Sequence, residues 1–391
     1  MKRWGAFIFF GLLMGGTGLA ETFNIEAASK YLESRNGHAL LVYHEGVLIF
    51  EEYYNGHTAR RGHRLASGTK SFSGVLAVIA AEEGIIDLDE KVSDTITEWQ
   101  DDKRLSQITI RQLISLSSGI DGGDNGSVPS GKEAVAMARA KGKPGSSFSY
   151  GPIPFQVWGE LMKRKLSPQD ESVEAYLKRK LLDPIGLKTA FWRKDDNGAI
   201  QFPSGAFITA REWAKFGLLV LEEGKWNGEQ IVSNKALQQC FVSTKANPNY
   251  GLTFWLNSSG RHVAPEDMVM AAGKGKQKLY IIPSKELLIV QLAEAQGYNE
   301  QAFLERFFSQ PGTVFNDQQG ERRNTIASDP DSNTNRLGIG MRLREMDING
   351  DEQLTEEEAK DWKPFAEVDA DNDGIATGRE IRAYLQAQRR Q

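Results

Sequence analysis

The chain has 391 residues, of which 40% are hydrophobic and 25% are charged, and its formal net charge is −5. This length allows a full hydrophobic core and suggests two domains, or one large domain and a small one. The negative charge and the lack of any dense block of lysine and arginine argue against nucleic acid as a partner. Cys240 is the only cysteine, so disulfides do not hold the fold together, and we interpret it as a buried apolar residue without a catalytic role.

The first residues have the pattern of a secretory signal peptide. Lys2 and Arg3 precede an apolar stretch, residues 4–14, and Gly18 and Ala20 suit the recognition positions of a signal-peptidase site. The apolar stretch is short for a membrane span, so we favour cleavage over a membrane anchor. The sequence therefore predicts a signal peptide at 1–20 and a periplasmic or secreted protein with no stable membrane insertion after cleavage.

Apolar patterns predict the elements of the main domain in chain order. Two β-rich runs, 38–43 and 47–54, are joined by Glu45-Gly46, which is typical of a hairpin. Further along, the pattern predicts helices at 75–81, 110–116 (after a Thr109 N-cap), 155–163, 173–182 and 210–221, strands at 279–283 and 286–292, and a closing helix at 298–308. This order predicts an α+β fold, in which helices flank an antiparallel sheet and a helical insertion interrupts it.

The segment LASGTKSFSG places Ser67 and Lys70 three residues apart at the head of an apolar run. On a helix these positions share a face, so the Lys70 amine would lie against the Ser67 hydroxyl. A serine needs a base to take its proton, and a lysine serves as that base when burial and a helix dipole lower its pKa. S-x-x-K also arises by chance in a chain this long. The small residues around Ser67 and the apolar run favour a serine hydrolase that needs no histidine.

Several ordered motifs accompany this segment and together carry a family resemblance. They are SGTKSFSG, TIRQLISLSSGI, PGSSFSYG, LLDPIGL, FITAREWAKFG and AAGKGKQKLYIIPSKELLIV. From about Asn36 to Phe308 the chain resembles the penicillin-recognising serine hydrolases. It is most similar to their class C β-lactamase-like branch, which includes esterases, D-amino-acid peptidases and 6-aminohexanoate-dimer hydrolases.

The resemblance implies a role for each matching residue. Ser67 would be the acylated nucleophile, Lys70 its partner, and Tyr150 the phenol that passes a proton to the leaving group. The backbone N–H groups of Ser67 and Gln277 would form the oxyanion hole. Lys274 would open the third motif, on the strand that edges the site, and would help Lys70 to lower the pKa of Tyr150. Without the resemblance, a solvated turn is the plainer interpretation of Lys274.

Two departures from the family pattern bear on the substrate. The second motif is usually Tyr-x-Asn, but here Tyr150 is followed by Gly151 and Pro152, and proline has no side-chain amide. In the third motif Lys276 stands where glycine is usual. We therefore expect a small ester or amide substrate. A β-lactamase or D-alanyl-D-alanine carboxypeptidase is the alternative, and an inactive hydrolase scaffold with calcium-dependent binding is an alternative of another class.

The C-terminal part has the pattern of two EF-hand loops. Residues 347–358 read DINGDEQLTEEE and residues 369–380 read DADNDGIATGRE. Both place oxygen ligands where calcium needs them, but Glu352 replaces the turn glycine of the first loop, so we expect weaker binding there. The predicted ligands are Asp347, Asn349, Asp351, Gln353, Glu358, Asp369, Asp371, Asp373, Ile375 (through its carbonyl) and Glu380.

These patterns divide the chain into four parts. After the signal peptide we expect a hydrolase domain at 21–309, a polar linker at 310–336 and an EF-hand pair at 337–391. Calcium would be structural or regulatory, since the linker separates it from Ser67, and no cofactor is expected for catalysis. The expected partner is a small-molecule ester or amide, and a protein partner for the EF-hand pair is left open.

Overall fold

A computed structural model describes residues 23–124 and 126–315, together with 354–355, 359, 365–369, 374–377 and 380. The predicted signal peptide and most of the predicted linker lie outside the described residues. So do seven predicted calcium ligands, Asp347, Asn349, Asp351, Gln353, Glu358, Asp371 and Asp373. Among the helices that the structure describes, none is both long and apolar enough to cross a membrane.

An antiparallel sheet organises the main domain. The strands up to residue 315 are β1 (Gly37–His44), β2 (Val47–Tyr53), β3 (His63–Arg64), β4 (Phe191–Trp192), β5 (Ala206–Ile208), β6 (Lys225–Trp226), β7 (Glu229–Gln230), β8 (Trp255–Leu256), β9 (Val269–Gly273), β10 (Gln277–Ile282) and β11 (Leu287–Ala293). Six of them form the main sheet in the order β2-β1-β11-β10-β9-β8, while β3, β5 and β4 form a small second sheet. The first and last parts of the domain meet where β1 pairs with β11.

Helices cover both faces of this sheet. They are α1 (Ile25–Ser34), α2 (Lys70–Glu82), α3 (Ile110–Ile114), α4 (Gly131–Met137), α5 (Ile153–Leu166), α6 (Val173–Leu177), α7 (Ala210–Leu221), α8 (Asn234–Gln238) and α9 (Glu300–Phe307). Alternate residues of β1 point to opposite faces: Leu41 lies in the core shared with α2, α5 and α7, and Leu40 lies in the core shared with α1 and α9. The predicted α+β arrangement of helices on an antiparallel sheet is therefore confirmed for this domain.

Local sequence signals explain several of these boundaries. Glu45 and Gly46 both have positive φ, 51° and 73°, as a two-residue hairpin turn requires. Thr109 caps α3 in a capping box with Gln112. The predicted helix over 210–221 coincides with α7, whose N-cap Thr209 accepts a hydrogen bond from the Glu212 amide.

Three parts of the secondary structure differ from the prediction. Helix α1 was not predicted, although Asn24 caps it. Helix α4 begins at Gly131, within the stretch 121–132 that its many Gly, Ser, Asp and Asn residues predict to be a loop, and Ser130 caps it in a capping box with Glu133. The predicted helix at 173–182 is α-helical only to Leu177 and continues as a π-helical turn, Lys178–Leu182.

The described C-terminal residues include two short strands and a helix. Strands β12 (Leu354–Thr355) and β13 (Ile375–Ala376) pair in antiparallel fashion, with Leu354 opposite Ala376. A helix, α10, spans Phe365–Val368. Leu354 and Ala376 are each the eighth residue of a predicted EF-hand loop, so the pairing joins equivalent positions of the two loops.

Candidate active site

Ser67 lies in a tight turn directly before helix α2. The turn is one of 3₁₀ geometry over Ala66–Thr69, and the helix begins at Lys70. Ala66 has φ of 48°, an unfavourable value for a residue with a Cβ, and the Thr69 hydroxyl donates to its carbonyl over 2.7 Å. Gly68 packs against the indole of Trp213, where a Cβ would approach ring carbon Cζ2 to 3.0 Å. Packing and hydrogen bonding thus hold a strained turn that presents Ser67.

Lys70 is buried and directed at Ser67. Its Nζ donates to Ser67 Oγ over 2.9 Å and to the carbonyl oxygen of Pro203 over 2.8 Å. The residue is only 2% exposed. Burial lowers the pKa of the Lys70 amine to about 7, because the charged form loses its hydration there. At neutral pH a large fraction of this amine is therefore neutral and able to accept a proton.

Tyr150 lies next to the Lys70 amine. The Lys70 Nζ is 4.9 Å from the centroid of the Tyr150 ring and 5.4 Å from that of Phe155. The backbone around Tyr150 is tightly packed, since a Cβ on Gly122 would lie 2.5 Å from the Tyr150 carbonyl oxygen. The structure thus brings the ring of Tyr150 to the Ser67–Lys70 pair, although Tyr150 is far from both in the sequence.

The third motif lies in a turn instead of on a strand. Residues 274–276 connect β9 to β10, with φ of 84° at Gly275 and 73° at Lys276. The expected strand position of Lys274 is therefore wrong, and its side chain is exposed. Its proposed effect on Tyr150 stays a prediction.

Gln277 begins strand β10, opposite Gly273. Its buried side chain donates to the Ala293 carbonyl and, over 3.1 Å, to the Lys274 carbonyl, and it accepts from the Ala293 amide over 3.0 Å. The neighbouring Gly273 is in close backbone contact with Leu65 and Gly68 of the Ser67 turn. The turn that carries the third motif is thus held beside the nucleophile, and the oxyanion-hole role of the Gln277 N–H stays a prediction.

Two site residues were not identified from the sequence. The Pro203 carbonyl holds the Lys70 amine, but a backbone acceptor carries no signal in sequence. Trp255 stacks on Tyr150 with ring centroids 5.8 Å apart and planes at 29°. The aromatic-rich stretch YGLTFW, residues 250–255, is the one signal that could have pointed to it.

The described residues include only part of the predicted calcium loops. Within the second loop, the Asp369 carboxylate accepts from the Gly374 amide over 3.0 Å, and the Glu380 carboxylate accepts from the Thr377 amide over 2.9 Å. Across the part of the chain that the structure describes, no three His, Cys, Asp or Glu side chains are grouped to hold a metal ion.

A comparison with known protein families gives one match that covers most of the chain. The family described as Beta-lactamase matches residues 25–308. Among curated proteins, an uncharacterized protein of Alkalihalophilus pseudofirmus is 20% identical over 327 residues, which cover 73% of this chain and 92% of that protein.

Solved structures with the same fold include several hydrolases. A Bacillus anthracis protein, provisionally named a 6-aminohexanoate-dimer hydrolase, has a TM-score of 0.59 at 21% identity, over 70% of this chain and 77% of its own. The hydrolase EstCE1, which has promiscuous acyltransferase activity, has a TM-score of 0.60 at 16% identity, over 72% and 96%. A D-stereospecific amidohydrolase from Streptomyces sp. has a TM-score of 0.59 at 16% identity, over 74% and 99%.

Proposed function

Because this chain belongs to the beta-lactamase family of serine hydrolases, we propose that it hydrolyses carboxylic esters or linear amides through an acyl-enzyme formed on Ser67. The observation that carries this proposal is the hydrogen bond of 2.9 Å between Lys70 Nζ and Ser67 Oγ. The amine that makes it is buried and has its pKa lowered to about 7, so it can act as a base at neutral pH.

The proposed reaction has two halves, and both conserve protons. In the first, Ser67 Oγ attacks the carbonyl carbon while its proton moves to neutral Lys70. The bond to the leaving group then breaks as Tyr150 donates its phenolic proton to the leaving atom, and the proton on Lys70 restores Tyr150. In the second, a water molecule attacks the acyl carbon, gives up a proton by the same route, and Ser67 leaves reprotonated. The sum is one ester or amide and one water converted to an acid and an alcohol or amine.

An oxyanion hole would stabilise both tetrahedral intermediates. We assign its donors to the backbone N–H groups of Ser67 and Gln277, and each such fixed donor contributes about 3–4 kcal/mol to the transition state. The close packing of Gly273 on the Ser67 turn supports this assignment, because it holds the two backbone segments in a constant relation.

The residues after Tyr150 favour esters and linear amides over β-lactams. Pro152 caps helix α5, and its carbonyl accepts hydrogen bonds from the Phe155 and Gln156 amides, both over 3.1 Å. Proline supplies no side-chain amide for a substrate carbonyl at this position. Two proteins of the same fold, a D-stereospecific amidohydrolase and a hydrolase with promiscuous acyltransferase activity, are in keeping with this choice.

We also propose that the protein is exported and carries a calcium-binding EF-hand pair at its C-terminus. Export is supported by the pattern of the first 20 residues. The calcium proposal is supported by the two twelve-residue patterns, by the pairing of Leu354 with Ala376, and by the contact from the Gly374 amide to Asp369, the first ligand of its loop.

Activity measurements with matched serine variants test the proposed function. Ser67→Ala should lower hydrolysis of 4-nitrophenyl acetate by at least about 100-fold without unfolding the protein. Ser73→Ala is the control, since Ser73 lies on the same helix and its buried hydroxyl has no hydrogen-bond partner among the residues that the structure describes. A panel of esters, short D-peptides, linear amides and β-lactams then ranks the substrate classes. Full activity in Ser67→Ala would refute the assignment, and activity confined to β-lactams would refute the substrate class.

A further inference from the structure

Four aromatic rings are packed together around Tyr150. They belong to Phe148, Tyr150, Tyr250 and Trp255. The Trp255 indole stacks on Tyr150 with centroids 5.8 Å apart, and Tyr250 meets Trp255 edge to face at 4.9 Å. Phe148 lies 6.3 Å from Tyr150 and 6.2 Å from Trp255. These separations are those of aromatic side chains in mutual contact.

The four rings differ in how much of their surface is exposed to solvent. Tyr250 is fully buried and forms its base, whereas Phe148, Tyr150 and Trp255 each keep a partly exposed surface. Phe148, Tyr150 and Trp255 thus combine ring contacts with surface that a bound molecule can reach, as the aromatic lining of a small-molecule site requires.

The position of the cluster relates it to the catalytic groups. Tyr150 contacts both Trp255 and Lys70, with the Lys70 amine 4.9 Å and the Trp255 ring centroid 5.8 Å from its own ring centroid. Trp255 belongs to β8, which pairs with β9, and β9 ends at Gly273 against the Ser67 turn. The aromatic cluster therefore lies on the Tyr150 side of the site.

We propose that Trp255 and Phe148 form a subsite for the leaving group and select substrates whose leaving group carries an aromatic ring or a bulky apolar group. This inference rests on the proposed function, in which Tyr150 donates its proton to the leaving atom. The leaving group must then lie next to Tyr150, and the partly exposed rings of Phe148 and Trp255 are the side chains packed against Tyr150 that it could contact. An apolar wall of stacked rings accepts an aryl group and gives no partner to a charged or strongly polar one.

Two pairs of esters test the inference without a difference in intrinsic reactivity. In the first pair, 2-phenylethyl acetate and butyl acetate, only the leaving alcohol changes. In the second, ethyl 3-phenylpropanoate and ethyl butyrate, only the acyl group changes. We expect the protein to prefer the phenyl member of the first pair by roughly 10-fold in kcat/KM, since one ring in an apolar pocket gives discrimination of that order. We expect a smaller preference in the second pair.

Substitution of Trp255 then shows where the preference arises. Trp255→Ala should remove the preference within the first pair, because KM rises more for 2-phenylethyl acetate than for butyl acetate and kcat/KM for the phenyl ester falls further. Trp255→Phe, which keeps a ring, should retain part of it. Trp226→Ala is the matched control, because this partly buried indole lies on the β6–β7 hairpin.

The outcomes separate this inference from the proposed function. If Ser67 reacts with a fluorophosphonate but the wild-type protein shows no preference within the first pair, the subsite is refuted and the proposed function stands. The subsite would also be refuted if Trp255→Ala and Trp255→Phe each lowered kcat/KM equally for both esters of the first pair. A general structural role of Trp255 would then explain the data. If Ser67 is unreactive and neither ester is hydrolysed, the proposed function fails and this inference fails with it.

Discussion

A methyl group on Gly273 would overlap the carbonyl oxygen of Leu65 and approach the amide nitrogen of Gly68 to 3.0 Å. The end of strand β9 and the turn that presents Ser67 are therefore in backbone-to-backbone contact. Only glycine allows this approach, because any side chain at residue 273 would push the sheet edge and the nucleophile turn apart.

Gly273→Ala should therefore impair both activity and stability. We expect the free energy of unfolding to fall by about 1–3 kcal/mol, as in other cases of overpacking, and kcat/KM to fall with it. Urea unfolding and ester hydrolysis measure the two effects. Gly126→Ala is a suitable control, since the nearest described atoms to a Cβ there belong to the Asp124 side chain, at 3.4 Å, an ordinary van der Waals distance. Unchanged activity and stability in Gly273→Ala would contradict the contact.

The pH dependence of the rate should report the Lys70 amine. Burial lowers its pKa to about 7, and only the neutral amine can take the proton of Ser67. The value of kcat/KM should thus rise with pH and level off above about pH 7. Lys70→Arg should lower activity at least about 100-fold at every pH, because a guanidinium stays charged. A rate that does not change between about pH 5 and pH 8 would exclude Lys70 as the base.

A cluster of three histidines should make the protein sensitive to acid. His38 Nδ1 and His63 Nε2 are 2.9 Å apart, and the ring of His57 lies 5.3 Å from that of His38. Burial, with Arg61 as a nearby cation, lowers the pKa of His38 to about 4. Burial, His38 and Arg61 lower that of His57 to about 3. Burial also lowers the pKa of His63 well below its usual value.

The sign of the effect follows from proton binding. Below about pH 6.5 the unfolded chain binds protons at these histidines, while the folded chain does not until pH falls toward the lowered values. The three histidines therefore do not lower the free energy of unfolding at neutral pH. As the pH falls from about 6.5 to about 4, that free energy decreases, because the unfolded chain binds the protons first. Between about pH 7 and pH 5 the free energy of unfolding should decrease by about 1–2 kcal/mol less in His57→Phe than in the wild-type protein, as measured by urea unfolding. Parallel losses in the variant and the wild-type protein would count against the cluster as the cause.

Calcium should bind the C-terminal loops with unequal affinity. We expect the loop at 369–380 to bind more tightly than the loop at 347–358, which lacks the turn glycine. Calorimetric titration should show dissociation constants of roughly 10⁻⁴ to 10⁻³ M if the sites resemble other extracellular EF-hand modules. Glu380→Gln should remove the tighter event and Glu358→Gln the weaker one. Binding that neither substitution alters would argue against both loops.

The sequence was most informative where structure depends on near neighbours. The β1–β2 hairpin follows from Glu45 and Gly46, since both accept positive φ in a short turn. Helix α7 follows from its apolar stripe and its Thr209 cap. Helix α1 was not predicted because it has only a short stripe of buried residues, and these are buried by contact with the distant helix α9. One such contact is the hydrogen bond of 2.9 Å that the Tyr31 hydroxyl accepts from the Asn299 amide.

In the candidate site, too, contacts between sequence neighbours could be predicted and contacts between distant segments could not. The contact between Ser67 and Lys70 could be predicted because it joins neighbours on one turn. Tyr150 came from the family resemblance alone, because its position depends on packing between distant segments. The contact of the Pro203 carbonyl with Lys70 and the stacking of Trp255 on Tyr150 each join segments that are far apart in the sequence. The aromatic-rich stretch at 250–255 could point to Trp255 as a site residue, but not to its partner.

Covalent labelling decides most directly whether Ser67 is the nucleophile. The purified protein is treated with a fluorophosphonate, its intact mass is measured, and the modified tryptic peptide is sequenced. We expect one label per chain, on Ser67 in the peptide from Leu65 to Lys70. We expect no label in Ser67→Ala, normal labelling in Ser73→Ala, and labelling at least about 100-fold slower in Lys70→Met. A label on another residue, or one that persists in Ser67→Ala, would contradict the proposed acyl-enzyme.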